Sequence, residues 1–229
     1  MIHDKKEFGI GLALIAAFLL VLVGIFSPVY EGGRNSLDYL DSAFNSISKN
    51  SAYYIPGVMT KATRHNDSIV SLNIKAADAG QVARMEKLLS ATGAAVIVDG
   101  TKLSVSGDLG RMLGAVLADA DLMFKNSGKA VADKYGFDER RVLYDWHQAL
   151  AAMAKDLTRQ SKFAEARMLR DVQTKAVEPA YNYYGVEAIP MSSMIWVAMA
   201  ALIGYVLYTV WYGFAVLYLF EGWGLKLDH

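Results

Sequence analysis

The chain has 229 residues, contains no cysteine and carries 23 basic and 23 acidic residues. The absence of cysteine excludes disulfide bridges, thiolate catalysis, zinc fingers, cysteine-ligated iron–sulfur clusters and covalent c-type haem attachment. The charge balance extends to residues 31–187, which hold 20 basic and 19 acidic residues. We therefore expect no bulk electrostatic attraction of nucleic acid or anionic lipid.

Two long runs near the ends of the chain contain no Asp, Glu, Lys or Arg: residues 9–30 and 188–220. The hydrocarbon core of a bilayer is ~30 Å thick and requires ~20 apolar residues of helix. Both runs are therefore predicted to be transmembrane helices, with residues 31–187 as a domain between them. The first is interpreted as a signal anchor, because a cleaved signal peptide has an apolar region of only ~7–15 residues and a small-residue cleavage site.

The orientation is predicted from basic residues close to the runs. Lys5 and Lys6 precede the first run, and Lys226 follows the second. Arg34 is the one basic residue close to the outer flanks. Residues 1–8 and 221–229 are therefore predicted to be a cytoplasmic head and tail. The membrane is predicted to be a bacterial inner membrane. The domain between the runs is therefore predicted to be extracytoplasmic, in the periplasm.

The domain begins with an amphipathic helix that Asn35 or Ser36 can cap. Its apolar stripe comprises Leu37, Leu40, Phe44 and Ile47. Because this helix follows the first membrane run directly, it is predicted either to lie along the headgroup surface or to dock on the domain.

Residues 68–126 are predicted to form a β-α-β-β-α unit. Strands are expected at 68–75, 95–98 and 102–106, with an Asp99-Gly100 hairpin between the last two. Helices are expected over 78–92 and from Asp108, the residue that caps the second helix, to Leu122. Helices should cover one face of a small antiparallel sheet. The predicted core is Leu72, Leu88, Val98, Val105, Leu113 and Val116.

A helical hairpin is predicted for residues 138–184. Its first helix has apolar residues at the alternating spacing of three and four that is typical of helix–helix packing: Leu143, Trp146, Leu150, Met153 and Leu157. An interruption is expected near Glu178-Pro179. The predicted fold class is an α+β membrane protein, in which two transmembrane helices flank the β-α-β-β-α unit and the hairpin.

The residue types that carry chemistry form no convincing constellation. No two of the four histidines are three or four residues apart, whereas a metal site needs converging ligands. Asp119 and Asp121 point to different faces of a helix, which makes a shared acid–base pair a poor interpretation. The turn around Asp108 is interpreted as a helix cap. We predict no catalytic residue, no cofactor and no metal site, and a protein that is not an enzyme.

Small and aromatic faces of the two runs are the predicted partner-binding surface. Small residues allow helices to approach closely within lipid, and buried tyrosines require a hydroxyl partner. The small residues are expected to pack against one another within the chain, leaving the tyrosines for a partner. The candidates are Gly9, Ala13, Ala17, Ala200, Gly204, Tyr205, Tyr208 and Tyr212.

Three functions are compatible with this pattern. The favoured hypothesis is a non-catalytic, doubly membrane-anchored accessory or structural subunit, whose partners are other integral membrane proteins or further copies of itself. The alternative is an extracytoplasmic ligand-binding or sensing domain, although only nine residues follow the second run. An enzyme acting at the membrane surface is the third hypothesis, which would require a pocket with perturbed carboxylates.

Overall fold

The computed structural model describes residues 2–225, and this part of the chain is mostly helical with one small sheet. It divides into two compact units. The helix-pair unit comprises residues 2–47 and 189–225, and the central unit comprises Ser48–Ala188. The predicted tail residues 226–229, including Lys226 and His229, lie outside the described residues.

Both uncharged runs are helical: α1 is Lys5–Phe26 and α10 is Met191–Gly222. Each is long and apolar enough to cross a membrane by length and composition. Helix α1 begins earlier than the predicted residue 9, because the Asp4 side chain accepts hydrogen bonds from the backbone N–H groups of Lys6 and Glu7. It ends before Ser27-Pro28, where proline disfavours a helical residue in front of it.

Helix α2, Ser36–Ser51, begins at a reciprocal cap. The Asn35 side chain accepts from the Asp38 backbone N–H at 2.9 Å, and the Asp38 carboxylate accepts from the Asn35 N–H at 3.0 Å. The predicted start is thus confirmed. Leu37 and Phe44 of the predicted apolar stripe are each 44% exposed, so neither side chain is covered within the described chain.

The β-α-β-β-α order is confirmed. It consists of β1 Ile69–Lys75, α4 Ala79–Ser90, β2 Ala95–Asp99, β3 Lys102–Asp108 and α5 Leu109–Phe124. The strands form an antiparallel sheet in the order β1-β3-β2, with Leu72 opposite Val105. Alternate residues of β1 are buried because only one face of the sheet is covered. Gly100 adopts a φ of 60° in the two-residue β2–β3 turn, a conformation that glycine takes without steric cost.

The remaining helices of the central unit are α3 Ile55–Ala62, α6 Gly128–Tyr135, α7 Glu139–Arg159, α8 Phe163–Val172 and α9 Glu178–Asn182. Helices α7 and α8 form the predicted hairpin, and its turn includes Ser161 at a φ of 61°. All five predicted packing residues of α7 are buried. The predicted interruption near Glu178-Pro179 is a π-helical turn, Gln173–Val177, that precedes α9.

Five of the six predicted core residues are buried to 2% exposure or less, but Val98 is 39% exposed. The prediction for Val98 is therefore wrong. Val98 pairs with the buried Leu103, so its side chain does lie on the core side of the sheet. However, β2 is one of the two edge strands of the sheet, and α7 packs on the other edge strand, β1. Helix α4, which covers the sheet, leaves the last residues of β2 partly exposed.

The outer edge of β1 is closed by side chains from the end of α7. The Asp156 carboxylate accepts from the Asn73 backbone N–H at 3.0 Å, and the Gln160 amide donates to the Ser71 carbonyl at 2.8 Å. These bonds satisfy backbone groups that an edge strand would otherwise present to another chain. They also fix the end of α7 against the sheet.

Two carboxylates in the core are fully paired. Asp119 accepts from the Tyr135 hydroxyl at 2.7 Å and from the Trp146 indole N–H at 2.9 Å, and it forms an ion pair with Lys134 at 2.8 Å. Burial, together with this hydrogen bond to Asp119, raises the pKa of Tyr135. Asp145 pairs with Arg84. These acids hold helices together, and their carboxylate oxygens are occupied by these partners.

Candidate functional site

The two apolar helices α1 and α10 pack against each other in an antiparallel arrangement. The contact seam of α1 follows the spacing of three and four that is typical of coiled coils. Every member of the seam is buried or half-buried. The seam residues are Phe8, Gly11, Ile15, Phe18, Leu22 and Ile25.

Two glycines set the closest approach of the pair. A Cβ added at Gly11 would lie 2.6 Å from the Leu219 backbone nitrogen, and one added at Gly222 would lie 2.3 Å from the Phe8 backbone nitrogen. Neither position can hold a side chain without a shift of a helix. The Gly222 carbonyl also accepts from the backbone N–H groups of His3 and Asp4. The pair is therefore joined tightly at this end.

An aromatic cluster forms the middle of the seam. The Phe18 ring stacks on Tyr208 with centroids 4.1 Å apart, and the Tyr212 ring lies 5.1 Å from it. The Tyr208 hydroxyl donates to the Phe18 carbonyl at 3.4 Å. Among the described residues, the Trp211 indole N–H is buried without an acceptor. Part of the predicted tyrosine face is thus used within the chain.

The predicted small residues do not pack against one another. Nothing lies within 4 Å of a Cβ added at Gly9 or Gly204 among the described residues. Ala13 and Ala200 are exposed, and Ala17 is half-buried. The expectation of internal packing was wrong because the seam of α1 runs through Gly11 instead. The partner-binding role of all eight candidates stays a prediction.

Tyr205 lies on the outer surface of α10 at 69% exposure, and Tyr212, whose ring also borders Phe18 in the seam, is 48% exposed. Gly204 adjoins Tyr205, Ala200 lies one turn before Gly204, and both are exposed as well. Together they define the outer α10 face, by which we mean Ala200, Gly204, Tyr205 and Tyr212. This surface combines two hydroxyl groups with two positions that allow a close approach.

In the central unit, His147 lies in a cleft of about 210 Å³ between α7 and α9. Its Nε2 atom is 3.1 Å from a Glu178 carboxylate oxygen and 2.9 Å from the Gln173 amide nitrogen. The sequence analysis did not identify Gln173 or Glu178 as partners of His147. Among residues 2–225, no three His, Asp or Glu side chains converge as metal ligands.

The π-helical turn explains this arrangement. In an α-helix, residues five apart point about 140° away from each other, since each residue turns ~100°. A π turn joins residues i and i+5, and here the Glu178 backbone N–H donates to the Gln173 carbonyl. Both side chains therefore face His147. Such insertions are frequently found at functional sites.

Lys49 lies buried at the edge of a second cleft in the central unit. Its amino group donates to the Val186 and Tyr183 carbonyls at 2.7 and 3.1 Å and to the Asn126 side-chain oxygen at 3.0 Å. Burial lowers the pKa of Lys49. All three N–H donors of the Lys49 amino group are occupied. Lys49 therefore stabilises the end of the central unit rather than binding a ligand.

Comparison with known proteins gives no relative for this arrangement: no family model, no curated protein and no solved structure matches the chain.

Proposed function

We propose that this chain is a non-catalytic accessory subunit of a membrane protein complex, anchored in the bilayer by α1 and α10. The outer α10 face carries the proposal. Tyr205 and Tyr212 present hydroxyl groups on a helix that is long and apolar enough to cross a membrane. Lipid tails offer no hydrogen-bond partner, so a hydroxyl group at that depth favours association with another helix.

Gly204 strengthens this proposal because it lies beside Tyr205 and is open. Close packing and hydrogen bonds, rather than hydrophobic attraction, drive association between helices in lipid. Gly204 and Tyr205 point ~100° apart around α10, so they supply these two features on adjoining parts of its surface. In the seam between α1 and α10, by contrast, the opposite helix already occupies the space beside Gly11 and Gly222.

The test is affinity purification in mild detergent followed by mass spectrometry. We expect a stoichiometric membrane partner or a homo-oligomer. Changing Tyr205 and Tyr212 to Phe removes two interhelical hydrogen bonds of ~0.6 kcal/mol each and should weaken association roughly five- to tenfold. Gly204→Leu should block the close approach, and its effect on association should be at least as large.

The matched control is Val210→Phe, which adds bulk elsewhere on α10. Val210 is also exposed, and it lies ~140° around the helix from Tyr205 and ~120° from Gly204, since each residue turns ~100°. This change should leave the complex intact. Recovery of a monodisperse monomer from the unaltered chain would contradict the subunit proposal.

We further propose that both chain ends are cytoplasmic and that the central unit is extracytoplasmic, in the inner membrane of a bacterium. Support comes from Lys5 and Lys6, in the first turn of α1 and before the uncharged run, and from Lys226 in the sequence after α10. Alkaline phosphatase fused after Gly128 should be active, and the enzyme fused after His229 should be inactive. The opposite pattern of activity would reverse the topology.

A second candidate function is an extracytoplasmic ligand-binding domain. The cleft beside His147 supports it, because its apolar walls surround a few convergent polar groups, as small-molecule sites do. The purification distinguishes the two functions. A monomer that needs no partner would favour ligand binding, whereas a stable complex favours the subunit.

A further inference from the structure

The positive charge of the central unit is concentrated in one stretch. Residues 155–175 contain six basic and three acidic residues, whereas the rest of residues 31–187 contains 14 basic and 16 acidic residues. The stretch covers the end of α7, the turn, α8 and the start of the π-helical turn. A net positive charge in so short a segment gives a local field that the overall balance conceals.

A groove of about 470 Å³ runs through this stretch and is named here the basic groove. Its α7 wall follows one helical face, with spacings of three and four residues. Arg170 and Gln173 form the other wall. Two alanines on the α7 side leave space between the walls. The lining residues are Ala151, Ala154, Lys155, Thr158, Arg159, Arg170 and Gln173.

The cations of the basic groove are weakly neutralised. Arg159 is 3.8 Å from the nearest Asp156 oxygen, and Arg170 reaches only the Thr158 hydroxyl at 3.5 Å. No carboxylate of residues 2–225 lies within 4 Å of the Lys155 amino group in an ion pair. Lys175, by comparison, pairs with Asp171 at 2.7 Å.

Asp156, the acid nearest to the groove, is already engaged elsewhere. Its carboxylate accepts from the Asn73 backbone N–H and from the Gln160 side chain at the edge of β1. Favourable interaction with the helix dipole accounts for basic residues in the last turns of α7 and α8. It does not account for an open groove that Lys155, Arg159 and Arg170 all line.

We infer that the basic groove binds a phosphate group. Two guanidinium groups and an ammonium group donate hydrogen bonds to phosphate oxygens, with arginine favouring two-pronged recognition. The Thr158 hydroxyl already donates to the Ala154 carbonyl and the Gln173 amide nitrogen lies against His147, so the three cations carry the recognition. The volume exceeds that of one phosphate, so the ligand is a phosphate ester with a small organic body. It is either a soluble ester or the headgroup of a phospholipid.

The experiment uses the full chain in nanodiscs. In one arm the discs contain only phosphatidylcholine, and uptake of radiolabelled glycerol 3-phosphate is measured by equilibrium dialysis. In the other arm a third of the lipid is phosphatidylglycerol, and the unfolding midpoint of the central unit is compared with that in phosphatidylcholine. Saturable uptake identifies a soluble ester, and stabilisation by phosphatidylglycerol without uptake identifies a headgroup.

Arg170→Gln and Lys155→Gln should each weaken the response roughly tenfold, since a charge-assisted hydrogen bond contributes about 1.5 kcal/mol. The matched control is Arg167→Gln, which removes a charge from an exposed position of the same helix α8 outside the groove. It should leave the response unchanged. Absence of a response in both arms, or an equal loss in the control, overturns the inference.

Discussion

Leu113→Asp unfolds the central unit. Leu113 lies on α5 with no exposed surface, within the continuous core that the sheet and the surrounding helices share. An uncompensated charge at such a position costs at least several kcal/mol. The whole domain has only about 5–15 kcal/mol of stability. The Leu113→Asp substitution alone is therefore expected to remove most of the cooperative unfolding transition of the central unit.

The matched control is Ala118→Asp. Ala118 lies on the same helix but is exposed, so the same new charge remains in water and costs well below 1 kcal/mol in helix propensity. Hydrogen exchange of peptides from the central unit provides the measurement in the full-length chain. Rapid exchange throughout β1, β3 and α5 is expected for Leu113→Asp. Protection equal to that of the unaltered chain would show that the core is not packed as described.

Gly11→Leu separates α1 from α10. A Cβ alone would lie 2.6 Å from the Leu219 backbone nitrogen, and the atom it meets belongs to a helix that cannot rotate away. Overpacking of this kind costs typically 1–3 kcal/mol. The helix axes should move apart by roughly 1–2 Å, because side-chain size at the contact sets the interaxial distance.

The absence of native cysteine allows unique spin labels at the exposed positions Leu20 and Val206. Double electron–electron resonance should show a longer and broader distance distribution for Gly11→Leu. Gly9→Leu, two residues away at an open position, should leave the distribution unchanged. If both substitutions gave the same distribution, the seam through Gly11 would be wrong.

The span candidates show where sequence patterns misled the prediction of packing. Gly9, Ala13 and Ala17 recur every four residues, but Gly11 makes the close contact. The spacing of Phe8, Gly11, Ile15 and Phe18 was also present in the sequence and matches the seam. Small-residue repeats occur on faces directed to lipid as well as on faces directed to protein, so the repeat alone could not select the seam.

Local signals predicted the elements of the β-α-β-β-α unit and the hairpin, whereas the short helices α3 and α6 were not predicted. Side chains of Asp78, Asp108 and Asp138 each accept a backbone N–H three residues later and begin a helix. A cap, a turn and an apolar period depend on residues close in sequence, which explains why the β-α-β-β-α order and the hairpin could be predicted. The same signals also predicted the two long apolar helices.

Features that depend on distant residues needed the folded chain. Val98 carries the pattern of a core residue, but it lies near the end of the edge strand β2, where it is 39% exposed. The Asp119 carboxylate accepts a hydrogen bond from Trp146, 27 residues away. The π-helical turn contributes to the cleft only because His147, on another helix, lies opposite it. The convergence of Lys155, Arg159 and Arg170 likewise requires the docking of α8 on α7. Backbone periodicity is encoded within a few residues, whereas side-chain pairing depends on which surfaces tertiary packing brings together.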